Sequence, residues 1–422
     1  MSNSFDSNFT RKLAPIILDA FESKRTITKN VNTQLLDGKF AGSDTGTIVD
    51  FKRSTDYKSI RTATGDISAS TASDIITGKA KGEVQDYFTV YVNYDEADEA
   101  LKMAQKDQLV DMPMMNRIVT DFELDFAAFM MKNTALSSGT VGTPITTWAH
   151  VANAGATMES AGIPKDGDWN LAINPFTQVA LAGTQRSLGT PGTTDPANRN
   201  ATITDNFAGM HVMSATTLGT YTTGTGADRA GTLSGTPTAT YLAAKDTMTQ
   251  SLAVTGFQAN LVVAAGETIT VTGRYRRNLS TRQPILDSTG AQVLWSATVT
   301  ASVTLGASGE GTLVCTGPAI YEAAGAYNTV VAALTSGDVV TLGGSAVTTY
   351  QPNIFWHKQA FAVGSVPIKK LYSTDTIATT RDGLQLRISK GVGFLENLQK
   401  VRIDFRPAYG VMNPFFAGKA WG

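Results

Sequence analysis

The sequence predicts an α+β chain in which a β-module is inserted into a larger scaffold. From about Gly231 to Tyr350 the chain reads as β-structure with little charge. Between Leu294 and Tyr350 the only formally charged residues are Glu310, Glu322 and Asp338. A long amphipathic helix is predicted at Asp111 to Lys132. Charged, alternating strand patterns flank the module, at residues 47 to 94 and again at 384 to 405.

Taken in chain order, residues 8 to 23 form an amphipathic segment, with Phe9, Leu13, Ile17 and Phe21 recurring every four residues. Pro15 predicts that the helix either kinks there or begins there, because proline is tolerated only in a first turn. Such a segment fits a helix packed on its own domain or an arm reaching a neighbouring chain. Two strands are predicted next, Thr47 to Arg53 and Gln85 to Tyr94, the second rich in aromatic and β-branched residues. About thirty residues between them are Ser, Thr, Ala and Gly with scattered charge, including Lys58, Arg61, Asp66, Asp74 and Lys79. A loop of this length in a compact domain is usually functional or mobile. This one has little apolar surface of its own, which suggests an extended hairpin laid on another subunit.

In the long helix Asp111 suits the N-cap and Pro113 the first turn. Met115, Ile118, Phe122, Phe126 and Phe129 form one stripe at steps of three and four, widened by Met114, Val119 and Met130. The element should be about 33 Å long, and its stripe reads as core. Residues 134 to 230 mix short apolar runs with Gly, Pro and Thr. They include a predicted loop, Gly189 to Pro196, and buried strand ends at Ala172 to Pro175 and Met210 to Met213. Thr222 to Gly235 reads as a polar linker into the module.

The clearest strand of the module runs from Gln292 to Leu305. Val293, Trp295, Ala297, Val299, Ala301, Val303 and Leu305 alternate there with a mostly hydroxyl-bearing set. Period two predicts a buried apolar face and a hydroxyl face near water. Further strands are predicted at Thr268 to Thr272, Leu384 to Ile388 and Lys400 to Phe405.

The 422 residues should hold two or three domains at ~150 residues each. Hydrophobic content is 42% and charged content 17%, light against a typical ~25%. A formal net charge of -1 argues against bulk nucleic-acid binding, which rests on Lys and Arg neutralising phosphates. The single cysteine, Cys315, cannot form an internal disulfide and reads as a small buried hydrophobe. No apolar run approaches the ~18 residues of a membrane span and no signal-peptide core is visible, so a soluble, cytoplasmically made protein is expected.

No catalytic, cofactor-binding or metal-binding residues are predicted. His150, His211 and His357 are scattered without ligand spacing, and neither a GxSxG elbow nor a phosphate loop occurs. Asp95, Glu96, Asp98 and Glu99 suit the start of a helix through Leu101 to Lys106, where acidic residues complement the macrodipole. Arg274, Arg276, Arg277 and Arg282, with Tyr275 between them, could form a nucleic-acid patch. With few other basic residues nearby, a protein–protein salt-bridge surface is the better reading.

Several phrases distributed along the chain resemble the major capsid proteins of P22-like short-tailed phages, especially the branch typified by the Shigella phage Sf6 coat. They are Phe51-Lys52-Arg53 with Arg61 to Ser68; Arg117 to Asp121 leading into Phe129 to Asn133; Pro352 to Phe355; and Met412 to Phe416. The resemblance implies an HK97-like capsid fold carrying an inserted β-barrel domain, and no enzyme. It implies an N-terminal arm at 1–30, and a 31–110 region of flanking strands and an extended hairpin loop at 54–84. A spine helix at 111–133 and peripheral and axial parts at 134–220 would follow, then the barrel at 221–350 and the remainder at 351–422.

The expected function is therefore the major capsid protein of a tailed double-stranded DNA phage, forming an icosahedral virion shell in the host cytoplasm. Its expected partners are itself, as pentamers and hexamers, a scaffolding protein and a portal protein. DNA would be enclosed without sequence-specific binding. Phe9, Leu13, Ile17, Phe21, Lys58, Arg61, Asp66, Arg274, Arg276 and Arg277 are the expected subunit-interface residues. The β-rich, Thr-rich composition leaves a virion decoration protein or surface adhesin as the alternative.

Overall fold

The computed structural model describes residues 6–33, 35, 46–53, 56–70, 72–95, 110–187, 194–323, 325–372, 375–393 and 398–422. Two compact units emerge, Met1–Asp50 with Lys81–Ala127 and Phe361–Gly410, and Phe51–Ala80 with Ala128–Ala360 and Val411–Gly422.

In the first unit, helix Asp6–Lys24 starts well before Pro15 and continues through it, so the proline neither begins nor ends it. The helix packs on a four-stranded antiparallel sheet ordered Thr376–Thr379, Gln385–Gly393, Leu398–Phe405, Phe88–Asp95. Alternation in these strands does what period two requires: Val401, Ile403 and Phe405 are buried, as are their neighbours Leu386 and Ile388. An aromatic cluster fills the centre. Phe122, from helix Met112–Lys132, meets Phe405 edge-on at 4.8 Å and Phe21 at 6.2 Å, and Phe126 meets Tyr409 at 5.1 Å. The predicted stripe of the long helix is buried at Met115, Ile118, Phe122, Phe126 and Met130, and half-buried at Phe129. A second sheet is ordered Ile48–Arg53, Gly78–Val84, Pro407–Val411, Phe361–Ser365.

The second unit contains a six-stranded mixed sheet, ordered Leu136–Ser138, Ala417–Ala420, Asn353–His357, Trp169–Ile173, Met210–Ser214, Asn206–Phe207. Its inner strands Trp169–Ile173 and Asn353–His357 are buried at every position. Helices Trp148–Ser160 and Pro175–Ser187 supply Val151, Met158 and Leu181 to the core around Trp169, Leu171 and Phe355.

The inserted module is a closed six-stranded barrel. Its strands are Ala230–Leu233, Thr249–Thr255, Thr268–Tyr275, Leu294–Val299, Gly311–Thr316 and Val339–Leu342. Leu252, Val254, Ile269, Trp295, Val299, Leu313, Cys315 and Val340 fill it. Closure leaves no unpaired sheet edge. Where the chain enters and leaves, Tyr221–Thr222 pairs with Thr349–Tyr350, and the two tyrosine rings lie 5.6 Å apart.

Four expectations change. The predicted strand from Gln292 to Leu305 breaks after Val299, exposing Ala301, and resumes only as Val303–Thr304. Its hydroxyl face is only partly near water: Ser302 and Thr304 are exposed, but Ser296 and Thr298 are 5% and 1% exposed, with Arg276 bonded to the first and Lys419 to the second. The polar linker Thr222 to Gly235 contains a barrel strand, Ala230–Leu233. The end of the predicted loop Gly189 to Pro196 belongs to a helix, Thr194–Asn200, while residues 188–193 lie outside the described residues. Glu96 to Glu99 and the predicted helix Leu101 to Lys106 also lie outside them.

Candidate assembly surfaces

The extended segment between strands Ile48–Arg53 and Gly78–Val84 is held at its roots and exposed in its middle. Arg53 donates to the Met412 carbonyl at 2.9 Å, to Val411 at 3.2 Å and to Lys245 at 2.5 Å. Arg282 bonds the Asp56 carboxylate at 2.9 Å, and the Lys79 amide donates to Asp246 at 3.0 Å. A Cβ on Gly78 would stand 2.4 Å from the Lys245 carbonyl oxygen, so that close approach requires glycine. Between these anchors Tyr57, Ile60, Ile67 and Ile75 are exposed, Ile75 at 78%. Lys58, Arg61 and Asp66 are exposed on the same segment. Asp66 accepts the Ser68 amide at 2.9 Å, which holds its carboxyl below the usual range. Where the root of this segment approaches the barrel, it borders an open cleft of ≈ 450 Å³ lined by Asp56, Asp74, Tyr241, Glu322 and Tyr327.

The other expected interface residues are placed differently. Ile17 and Phe21 are 1% and 0% exposed, because Phe21 packs on Phe122 and Phe405 of its own chain. Arg25 stacks over the Phe21 ring at 5.5 Å and pairs with Asp382. These two apolar positions are therefore satisfied within the subunit. The side chains of Phe9 and Leu13 lie outside the described residues.

The arginine cluster forms internal braces instead of a surface patch. Arg274 grips Asp338 with two bonds of 2.7 Å and donates to Thr335 at 2.6 Å. Burial pushes the Asp338 carboxyl up, but bonds from Arg274 and Thr335 outweigh it and hold the pKa low. Arg276 is buried and donates to the Ala135 carbonyl at 2.6 Å and to Ser296 Oγ at 2.6 Å. Burial lowers its pKa to about 10. Arg277 donates to the Arg282 carbonyl.

Sequence reading also missed the buried polar seam between barrel and sheet, where Lys419, Glu267 and Arg229 meet. These residues are far apart in the chain and share no period, so only the folded structure brings them together.

The three histidines lie apart from one another in the sequence. His211 is exposed and His150 half-buried. His357 is buried and lies 3.1 Å from both Asp166 oxygens, with Asp168 nearby, a grouping compatible in reach with a cation. However, His357 Nδ1 accepts the Gln359 amide at 3.2 Å, which leaves the proton on Nε2 to donate to Asp166. No ring lone pair then remains for a metal. Burial raises the Cys315 thiol pKa, which suits an inert core residue.

From residue 8 to 421 the chain matches the model of the family described as P22 coat protein, gene protein 5. The chain belongs to the P22 coat protein family. It is 34% identical over 426 residues to the major capsid protein of Acyrthosiphon pisum secondary endosymbiont phage 1, covering 100% of both chains. Among solved structures it is similar to the capsid of Cyanophage P-SCSP1u, with a TM-score of 0.44 and 11% identity, covering 89% of this chain and 83% of that one. It is likewise similar to a structure of Mycobacterium phage Che8, with a TM-score of 0.46 and 11% identity, covering 94% and 90%. This member of the P22 coat protein family is an α+β chain with a closed six-stranded barrel inserted.

Proposed function

We propose that this chain is the major capsid protein of a tailed double-stranded DNA bacteriophage and self-assembles into the icosahedral shell that encloses the genome. The observation that carries this is the full-length match to a phage major capsid protein, barrel included. The chemistry agrees. A shell subunit needs recurring complementary surfaces and no reacting group, and near-neutral charge limits its grip on densely packed DNA. Among the described residues no helix is long and apolar enough to cross a membrane.

On this reading the exposed segment around Lys58, Arg61 and Asp66 is the extended loop that lies on a neighbouring subunit. Its apolar side chains Ile60, Ile67 and Ile75 gain there the cover that their own chain does not supply. The helix Met112–Lys132 is the spine, residues 134–220 and 351–422 complete the peripheral and axial parts, and 221–350 is the inserted domain. Pentamers and hexamers form with a scaffolding protein and a portal protein, in the host cytoplasm, and the product is a virion component without enzymatic activity. Electron microscopy of the chain co-expressed with its scaffolding protein tests the reading. Closed shells support it, and fibres or dispersed monomers overturn it.

A further inference from the structure

The barrel is fastened to the six-stranded sheet by polar groups. Lys419, in the sheet strand Ala417–Ala420, is 0% exposed, and its Nζ donates to the Gly266 carbonyl at 2.5 Å and to Thr298 Oγ1 at 3.2 Å. Around it stand Glu267 on the turn entering Thr268–Tyr275, Arg229 just before Ala230–Leu233, and the Tyr221 ring, whose centroid is 5.7 Å from Nζ. Thr134 contacts Thr298 from the other side at 3.4 Å. Farther along the same seam lies Arg276, buried against Ala135 and Ser296.

Charge does not balance in this seam. Two basic side chains, Arg229 and Lys419, face one carboxylate, Glu267, and that carboxylate is already committed. One Glu267 oxygen pairs with Arg229 and the other accepts the Ala264 amide at 2.8 Å. An uncompensated buried cation is costly. The guanidinium groups do not give up a proton readily, whereas a buried lysine does. The hydrogen-bond count agrees: a neutral amine has two N–H donors, and two acceptors are in place. An ammonium would bring a third N–H and a net charge.

We propose that Lys419 docks the barrel as a neutral amine, so that the seam is a proton-sensitive latch that loosens when Lys419 is protonated. Burial pushes the Lys419 pKa down to about 7, with Glu267 pulling the other way. A released lysine titrates near 10.4. The docked form therefore binds fewer protons than the released form. Docking is favoured at high pH, weakens by about tenfold per unit as pH falls from 10.4 toward 7, and loses no more below that. The other titratable groups facing Lys419 do not supply this slope. Tyr221 is held neutral by burial, which raises its phenol, and burial likewise raises Glu267 against its bonds to Ala264 and Arg229.

The test is hydrogen exchange with mass spectrometry on the full chain between pH 7.5 and 9.5, with rates normalised to the intrinsic exchange at each pH. Protection in Phe415–Gly422 and Gly266–Val271 is expected to rise by about tenfold per unit, while Trp169–Ile173 changes by less than about threefold across the range. The slope at the seam is expected to vanish in Lys419→Met. A flat wild-type profile, a slope equally present in Trp169–Ile173, or a slope that survives in Lys419→Met would overturn the proposal. Should that variant not fold, the comparison of wild-type segments alone decides.

Discussion

Replacing Asp404 with alanine should cost the first unit about 3–5 kcal/mol. Strand Leu398–Phe405 sets Asp404 directly opposite Arg387 on one side and Thr89 on the other. Its carboxylate accepts from Thr89 Oγ1 at 2.6 Å, Arg402 Nε at 2.6 Å, and Arg387 Nε and Nη2 at 3.0 and 2.5 Å. Both Asp404 and Arg387 are buried, at 0% and 5% exposure. Removing the carboxylate strands a buried guanidinium that keeps its hydrogen bond to the Lys369 carbonyl at 2.9 Å. That loss is a large share of a typical 5–15 kcal/mol total.

All five tryptophans lie in the second unit, so indole fluorescence does not report the change. Amide exchange in Leu398–Phe405 does. The variant should lose protection there by a factor of more than about one hundred, which corresponds to about 2.7 kcal/mol. Substituting both partners, Asp404→Leu with Arg387→Met, should recover much of the loss, because no unpaired charge is left behind. A loss below about 1 kcal/mol in the single variant would refute the reasoning, since it would mean the pair behaves as an exposed one.

Three further outcomes are expected. Burial raises the Glu123 pKa although Ile27 N–H, Thr28 N–H and the Thr28 hydroxyl all donate to it. The folded form thus holds its proton more tightly than an unfolded chain titrating near 4.3. Stability relative to Glu123→Gln should fall as pH rises above that value, and urea titrations at several pH values read the sign. Phe21→Ala should destabilise the isolated subunit by about 3–5 kcal/mol, as its burial within the chain requires; an unchanged melting temperature would return this residue to an inter-subunit role. Reversing Arg61 and Asp66 together should weaken assembled particles in urea while shifting the subunit's own transition by less than about 0.5 kcal/mol.

Periodicity made the large apolar features legible. The stripe from Met115 to Met130, the alternation through Trp295, Ala297 and Val299, and the paired strands ending at Phe405 all follow from which positions share a face. What periodicity cannot say is whether the opposite face is also covered. Ser296 and Thr298 have the composition of a wet face, yet Arg276 and Lys419 reach over them. Buried charge was illegible for a related reason. Glu123, Asp404, Glu267 and Lys419 find partners in other segments, and a polar residue carries no mark of the distant group that will satisfy it. The arginine run at 274 to 282 misled in the opposite direction: clustered in sequence, those side chains turn to different internal acceptors.

The candidate assembly segment was legible from composition, since a long stretch poor in apolar residues needs something to lie against. Its anchors, Arg53, Asp56 and Lys79, were not, because each depends on a carbonyl, carboxylate or guanidinium brought in by another part of the chain.

The most direct test is sedimentation velocity of the purified chain with increasing amounts of its scaffolding protein. Assembly of shells requires the subunit boundary to be depleted in favour of one fast boundary of closed particles, with few intermediates. A chain that stays at the subunit boundary at every ratio would contradict its role as a capsid protein.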